Sequence, residues 1–174
     1  MTDTLSKEAR SALMSKVRSS DTKPEWILRC GLHRLGLRYN LKNNRLPGKP
    51  DLVFPKYRTA VFIHGCFWHR HPGCKHATTP KSNREFWEDK FSKNVQRDAR
   101  NVEALQAQGW KVVVVWECQL IRNTVETVEQ VAQAIRGSLQ APSSSQYPRL
   151  DLDRKELLTV AEEKVRYRID KLDK

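Results

Sequence analysis

The chain has 174 residues, 39% of them hydrophobic and five of them tryptophan, which suits one domain burying roughly 70% of its unfolded surface. No apolar run approaches the ~20 residues needed to cross a membrane, and the N-terminus MTDTLSKEAR lacks the apolar stretch of a signal peptide, so a cytoplasmic protein is expected. Thirty-two Lys and Arg against twenty Asp and Glu leave a formal net charge of +12, and residues 1–60 hold thirteen basic but five acidic side chains. Such a field favours a polyanion, because each neutralised phosphate releases condensed counterions. Nucleic acid ranks first as partner, ahead of ribosomal or membrane-surface binding.

In chain order, residues 6–18 read as a cationic helix that includes Met14 and Val17. Thr22-Lys23-Pro24-Glu25 fits a capping box with Pro in the first turn, opening a helix with Trp26, Ile27, Leu28, Leu32 and Leu35 at helical spacing and Gly36 at its end. A basic loop, 40–49, leads to Pro50-Asp51-Leu52-Val53-Phe54, a strand. A turn at 55–58 returns the chain as a second strand over 59–64, so a hairpin is the economical reading. Residues 65–81 are irregular and rich in His, Pro, Gly and Cys. Ser82-Asn83-Arg84-Glu85 reads as a second capping box. The long helix after it is closed by Gly109, with Phe86, Phe91, Val95, Val102 and Leu105 as its buried stripe. The apolar run 112–116 suits a buried central strand. Asn123 or Thr124 caps a further helix, 141–149 is a linker, and 150–174 is a charged helical segment. The expectation is an α/β (α+β) fold: one domain over 1–140 with a small mixed sheet flanked by helices.

Four cysteines stand at 30, 66, 74 and 118. Cys30 lies in a helical pattern and reads as core. Cys66, His71, Cys74 and Cys118 form a Cys3His set, which satisfies tetrahedral structural zinc with no ligand position left over. Such a zinc would staple an irregular loop rather than catalyse; the alternative is three buried thiols beside exposed histidines.

Asp51 on the first hairpin strand and His64 at the end of the second can approach one another. A carboxylate there can hold Mg²⁺ through hard oxygen ligands, helped by the Ile63 carbonyl, and Mg²⁺ neutralises charge on a scissile phosphate. His64 and His69 could activate water or stabilise a leaving oxygen. Each residue has a plainer reading: Asp51 as a turn cap, His64 as a strand-end histidine, Glu25 as a capping-box residue alone. Phe67 and Trp68, two large rings in a polar loop, suit an apolar wedge into a base stack, or else a small satellite core.

Pro-Gly-Lys-Pro-Asp at 47–51, Val-Phe-Ile-His-Gly-Cys-Phe-Trp-His-Arg-His at 61–71, Phe86-Trp87 with Lys93-Asn94-Val95-Gln96-Arg97-Asp98, and Val115-Trp116-Glu117-Cys118 together resemble the very short patch repair endonucleases. The resemblance spans about residues 6–137. It implies a fold akin to type II restriction enzymes and a Mg²⁺-dependent nick 5′ to the mismatched T of a T:G pair. It also implies a monomer acting on double-stranded DNA alongside mismatch-repair proteins and a repair polymerase. It assigns Mg²⁺ to Asp51 and Ile63, hydrolytic chemistry to Asp51, His64, His69 and Glu25, support of His69 to Asp98, zinc to Cys66, His71, Cys74 and Cys118, and base-stack wedging to Phe67, Trp68 and Met14. Three features depart from the family pattern: a His71–Cys74 loop longer by one residue, Ile63 in place of Thr, and a 141–174 tail with no counterpart. Competing readings are a restriction- or recombination-type nuclease of the same fold, and a zinc-containing DNA-binding module without catalysis. A nucleotide-driven enzyme is disfavoured, since none of the seven glycines forms a phosphate-cradling loop.

Overall fold

The computed structural model describes residues 20–41, 44–137 and Thr159. The expected N-terminal helix with Met14, the 141–149 linker and, Thr159 apart, the 150–174 segment lie outside the described residues. Among those described, no helix is long and apolar enough to cross a membrane.

Helix α1, Lys23–Arg34, starts where the capping signal places it. Glu25 Oε1 accepts hydrogen bonds from the Thr22 backbone N–H at 3.2 Å and the Thr22 hydroxyl at 2.9 Å. It ends at Gly36, whose φ of +79° lets Leu37 N–H turn back to the Leu32 carbonyl at 3.0 Å. Strand β1, Leu52–Phe54, then runs antiparallel to β2, Thr59–His64, through a 3₁₀ turn at Pro55–Tyr57, so the expected hairpin forms. Helix α2, Arg84–Ala107, returns the chain to β3, Lys111–Trp116, which pairs parallel to β2 from Thr59↔Lys111 to His64↔Trp116. Short α3, Glu117–Arg122, and α4, Thr124–Arg136, complete the described order.

The three strands therefore form a mixed sheet in the order β1-β2-β3. Alternation along β2 separates two cores. Val61 joins Leu52, Phe54 and Val115 beneath α1 and α4, while Ala60 and Phe62 meet Leu105 of α2 on the other face.

Three expectations change. The apolar run 112–116 is an edge strand among the described residues, with Val115 buried and Val114 37% exposed, because β2 rather than β3 takes the middle. The second capping box does not form. Asn83 precedes α2 at φ +50° with no side-chain cap, and the helix starts at Arg84. The α2 stripe is buried at Phe91 and Leu105, but Phe86 is 57% and Val95 45% exposed. A 24-residue helix spans about 36 Å whereas a six-residue strand spans about 20 Å. The first turns of α2 thus overreach the sheet that would cover them.

Helices α1 and α4 meet at Gly31, where a Cβ would stand 2.6 Å from Val128 Cγ1. Helix propensity alone would favour Ala over Gly by ~1 kcal/mol, but overpacking costs about 1–3 kcal/mol. Gly31→Ala should accordingly lower stability in chemical denaturation by about 1 kcal/mol, and turn neutral or stabilising in a Val128→Ala background. An equal loss in both backgrounds would remove close helix approach as the reason for this glycine.

Candidate active site and metal centre

The carboxyl-terminal ends of β2 and β3 open onto a cleft of about 1050 Å³, lined on one wall by Asp51, His64 and His69 and on the other by α2 residues Asn94, Asp98 and Asn101. Asp51 enters β1 immediately after buried Pro50, and its Oδ2 accepts a hydrogen bond from the Ile63 N–H of β2 at 2.7 Å. Burial pushes its carboxyl up to about 6; the Ile63 bond opposes this and the nearby charge of Glu25 adds to it. An anion held there at such cost, with hard oxygen as its donor atom, fits a divalent cation of the Mg²⁺ type.

Glu25, by contrast, is fully engaged. Beyond its two bonds to Thr22, Oε2 accepts from Asp21 N–H at 3.1 Å and from Arg29 at 2.7 Å. Arg29 also reaches Asp21 at 2.6 Å, and all three charged groups are buried. Glu25 lines the cleft while structurally anchored.

The two histidines lie together. His64 and His69 stack with ring centroids 3.9 Å apart and planes 11° apart, and His69 Nδ1 lies 2.5 Å from Asp98 Oδ2. The carboxylate is an acceptor, so the Nδ1–H donates and Nε2 is left as the basic nitrogen. Burial first, then the neighbouring His69, lowers His64 to about 4, so it stays uncharged near neutral pH.

Behind them Cys66, His71, Cys74 and Cys118 converge, one donor atom from each lying within 4.8 Å of the others. His71 Nδ1 is 3.4 Å from Cys66 Sγ and 3.3 Å from Cys118 Sγ. Tetrahedral zinc with ordinary bond lengths sets such N···S edges at about 3.6 Å, so the donor set and its spacing fit. Burial drives the Cys66 thiol up to about 12 and also raises Cys118, whereas the His76 backbone N–H beside Cys74 lowers that thiol. A bound zinc ion would favour the charged form of these donors, since a coordinating thiol is held as thiolate. Gly73, at φ of +67°, turns the chain between His71 and Cys74, and Cys74 N–H bonds to the His71 carbonyl at 3.2 Å.

Phe67 and Trp68 are half-buried, not stranded in a polar loop. Phe67 meets Trp87 at 5.5 Å and Phe91 at 5.1 Å, and Trp68 lies 6.0 Å from Trp87 and faces the cleft. Their partners come from the start of α2, distant in sequence.

Other supports were missed outright. Glu117 Oε1 accepts the Cys66 N–H at 2.8 Å, and Asn94 Nδ2 donates to the Trp68 carbonyl at 3.2 Å. Both lie in segments that carry the family resemblance, but their roles follow from no spacing rule, since both depend on tertiary pairing. Arg29 did have a spacing signal, as the i+4 partner of Glu25.

Comparison with known proteins agrees with this architecture. Residues 2–76 match the family described as DNA mismatch endonuclease Vsr. The type II nicking enzyme V.XorIIP of Xanthomonas oryzae is 50% identical over 120 residues, covering 69% of this chain and 88% of that protein. The type II nicking enzyme V.NmeAIP of Neisseria meningitidis is 45% identical over 136 residues, covering 78% and 96%. The DNA mismatch endonuclease Vsr of Escherichia coli is 42% identical over 120 residues, covering 69% and 76%. With relatives of this identity matched over most of their length, the chain belongs to the Vsr family of DNA endonucleases and is a phosphodiester hydrolase.

Proposed function

We propose that this endonuclease nicks duplex DNA 5′ to the thymine of a T:G mismatch by Mg²⁺-dependent hydrolysis, with zinc as a structural staple. The observation that carries the reading is the convergence, in one cleft, of half-buried Asp51 and the His69–Asp98 pair beside the stacked ring of His64. The relatives named as nicking enzymes and as a mismatch endonuclease support the single-strand cut and the target.

Asp51, with the Ile63 carbonyl, would hold Mg²⁺, which supplies charge neutralisation at the scissile phosphate. Asp98 keeps the Nδ1–H of His69 engaged, so Nε2 takes a proton from the attacking water. One phosphorus–oxygen bond forms as the other breaks, and the leaving oxygen takes its proton from water. Neutral His64 packs against the His69 ring and offers an N–H to an oxygen of the phosphate. Glu25 acts through its charge, raising the affinity of the Asp51 site for a cation. Type II restriction-enzyme-like topology, with the sheet ends as the cutting edge, is the fold this chemistry implies. Trp68, with Phe67 behind it, is the proposed wedge, and Met14 would approach from the N-terminal segment. A T:G step is poorly stacked, so opening it costs less than the few kcal/mol of an ordinary step. The nick then passes to mismatch-repair proteins and a repair polymerase.

Single-turnover assays on matched, T:G and other mismatched duplexes, with and without Mg²⁺, test the whole reading. Wild type should cut T:G duplex in Mg²⁺ alone; equal cutting of matched duplex would replace mismatch targeting with another specificity. His69→Ala should lose a factor of about 10²–10⁴ in rate. Asp51→Asn should abolish cutting and yet melt higher than wild type in Mg²⁺-free buffer at neutral pH. The sign follows from a raised carboxyl: its destabilisation is absent below the ordinary value near 3.8, grows as pH rises towards about 6, and is full above that. The gain should therefore be of order 1–2 kcal/mol at pH 8 and vanish near pH 3.5. An unchanged melting temperature would mean that Asp51 is not held against a desolvation cost.

Elemental analysis should find about one zinc per chain, and Cys118→Ser should lose it together with thermal stability, because structural zinc contributes folding free energy directly. Zinc-free protein that stays folded would end the staple assignment. Trp68→Ala should sharply reduce cutting of T:G duplex while leaving zinc content and binding to matched duplex intact. Fluorescence of 2-aminopurine beside the mismatch should rise with wild type and much less with the variant, since ring–base stacking is worth roughly 1–3 kcal/mol per base. Equal fluorescence would return the ring to a packing role.

A further inference from the structure

Among the described residues, five other than glycine adopt positive φ: Asp21, Lys49, Arg58, Arg70 and Asn83. Three of them have side chains that anchor the fold. Asp21 binds Arg29, Arg58 donates to the Gln108 and Gly109 carbonyls, and Arg70 donates to the Thr78 carbonyl and the Thr79 hydroxyl. Asn83 is of the type that tolerates the left-handed region. Lys49 fits neither account. It is exposed, its φ is +51°, and its ammonium makes no hydrogen bond or ion pair among the described residues. A proline follows it, which restricts its backbone further.

The loop around it cannot relax. Lys49 N–H bonds to the Leu46 carbonyl at 3.2 Å, Pro50 is buried, and Gly48, at φ +72°, presses on α2 so closely that a Cβ would stand 2.8 Å from Asn101 Nδ2. The strained backbone thus holds the side chain on the wall of the cleft, two residues before Asp51. The other titratable or charged groups lining that cleft are Glu25, Asp51, Asp98, Glu117, His64, His69 and Arg97, and Arg97 lies 3.2 Å from Asp98. Lys49 is a cation in a largely acidic cleft with its charge uncommitted.

We infer that Lys49 is a phosphate-binding residue, held in a left-handed conformation so that its ammonium meets a DNA backbone phosphate at the mouth of the cleft. This rests on the cleft being where DNA is cut. Backbone strain of this kind gathers where the geometry serves a ligand rather than the fold.

The test uses the zinc-loaded full chain and a matched duplex, with fluorescence anisotropy from about 50 to about 200 mM salt. Lys49→Ala and Lys49→Gly should each lower the slope of log affinity against log salt by about one unit, whereas Lys49→Arg should keep it. Lys49→Gly should melt at or above wild type, since glycine adopts this φ without strain, and Lys49→Ala should not exceed wild type. A wild-type slope in both neutral variants overturns the inference. So does a lowered melting temperature in Lys49→Gly, which would make Lys49 a packing residue. Binding to matched duplex does not depend on mismatch recognition. Equal nicking of matched and T:G duplexes by wild type would therefore unseat the proposed target and leave the slope result standing.

Discussion

Residue-for-residue parallel pairing of β2 with β3, ending at His64 beside Trp116, governs what lies beyond both strands. Two residues past each paired end stand Cys66 and Cys118, which the register brings side by side although 52 positions separate them in the chain. The turn that follows β2 is tied down twice, by Cys66 N–H to Glu117 and by His69 N–H to the Gly65 carbonyl at 3.1 Å. His69 is thereby delivered over His64, and His71 is stacked on Trp116 at 4.2 Å. A shift of one residue in this register would turn His64 to the opposite face and break the cysteine cluster at once. The metal-type cluster and the histidine pair are consequences of one strand pairing.

Electrostatics around the cleft is arranged against the ordinary preference for solvated charge. Asp21 and Glu25 share the single guanidinium of Arg29, and Asp51 lies near enough to feel both Glu25 and Arg29. One cation among two buried carboxylates and the half-buried Asp51 leaves negative charge in excess, and Asp51 bears it. A net-basic protein whose proposed cutting centre is locally acidic would attract the DNA backbone broadly and a divalent cation locally. Both are needed where one anion must be brought against another.

Local signals were legible in the sequence where local physics decides. The Thr22–Glu25 start of α1, its Gly36 stop and the β1–β2 hairpin all follow from capping, left-handed glycine and turn chemistry within a few residues. The Cys3His set was legible because cysteine is scarce and its ligand chemistry narrow. The edge position of β3 was not, since a continuous apolar run says that a strand is covered, not which neighbour covers it. The box at Ser82 failed for a similar reason: the αL conformation of Asn83 is imposed by how the loop reaches α2, and local propensity yields to it. Of the candidate site, Asp51, His64, His69 and Asp98 were foreseen and do share a cleft, but Glu117 and Asn94 act through partners 51 and 26 residues away, a distance no spacing rule bridges.

The mismatch in length between α2 and the strands has its own consequence. Where the helix overreaches the sheet, Phe86, Trp87 and Phe91 have no strand to cover them, and the loop after β2 supplies Phe67 and Trp68 instead. Lys90 stands 5.4 Å from the Trp68 ring centroid and 5.7 Å from that of Trp87, and Arg70 lies 4.5 Å over Phe91, so cations border the rings. An interior core would use this area for stability alone. Here Phe67, Trp68 and Trp87 are only half covered and Trp68 faces the cleft, a combination of apolar faces and positive charge that suits unstacked bases on a phosphate backbone. Because Asn94 on the same helix also holds the Trp68 carbonyl, the ring that faces the cleft is positioned by the element that carries Asp98 to His69. Any displacement of α2 would therefore disturb the proposed wedge and the proposed base together, which couples the seating of DNA to the geometry of cutting through one rigid helix.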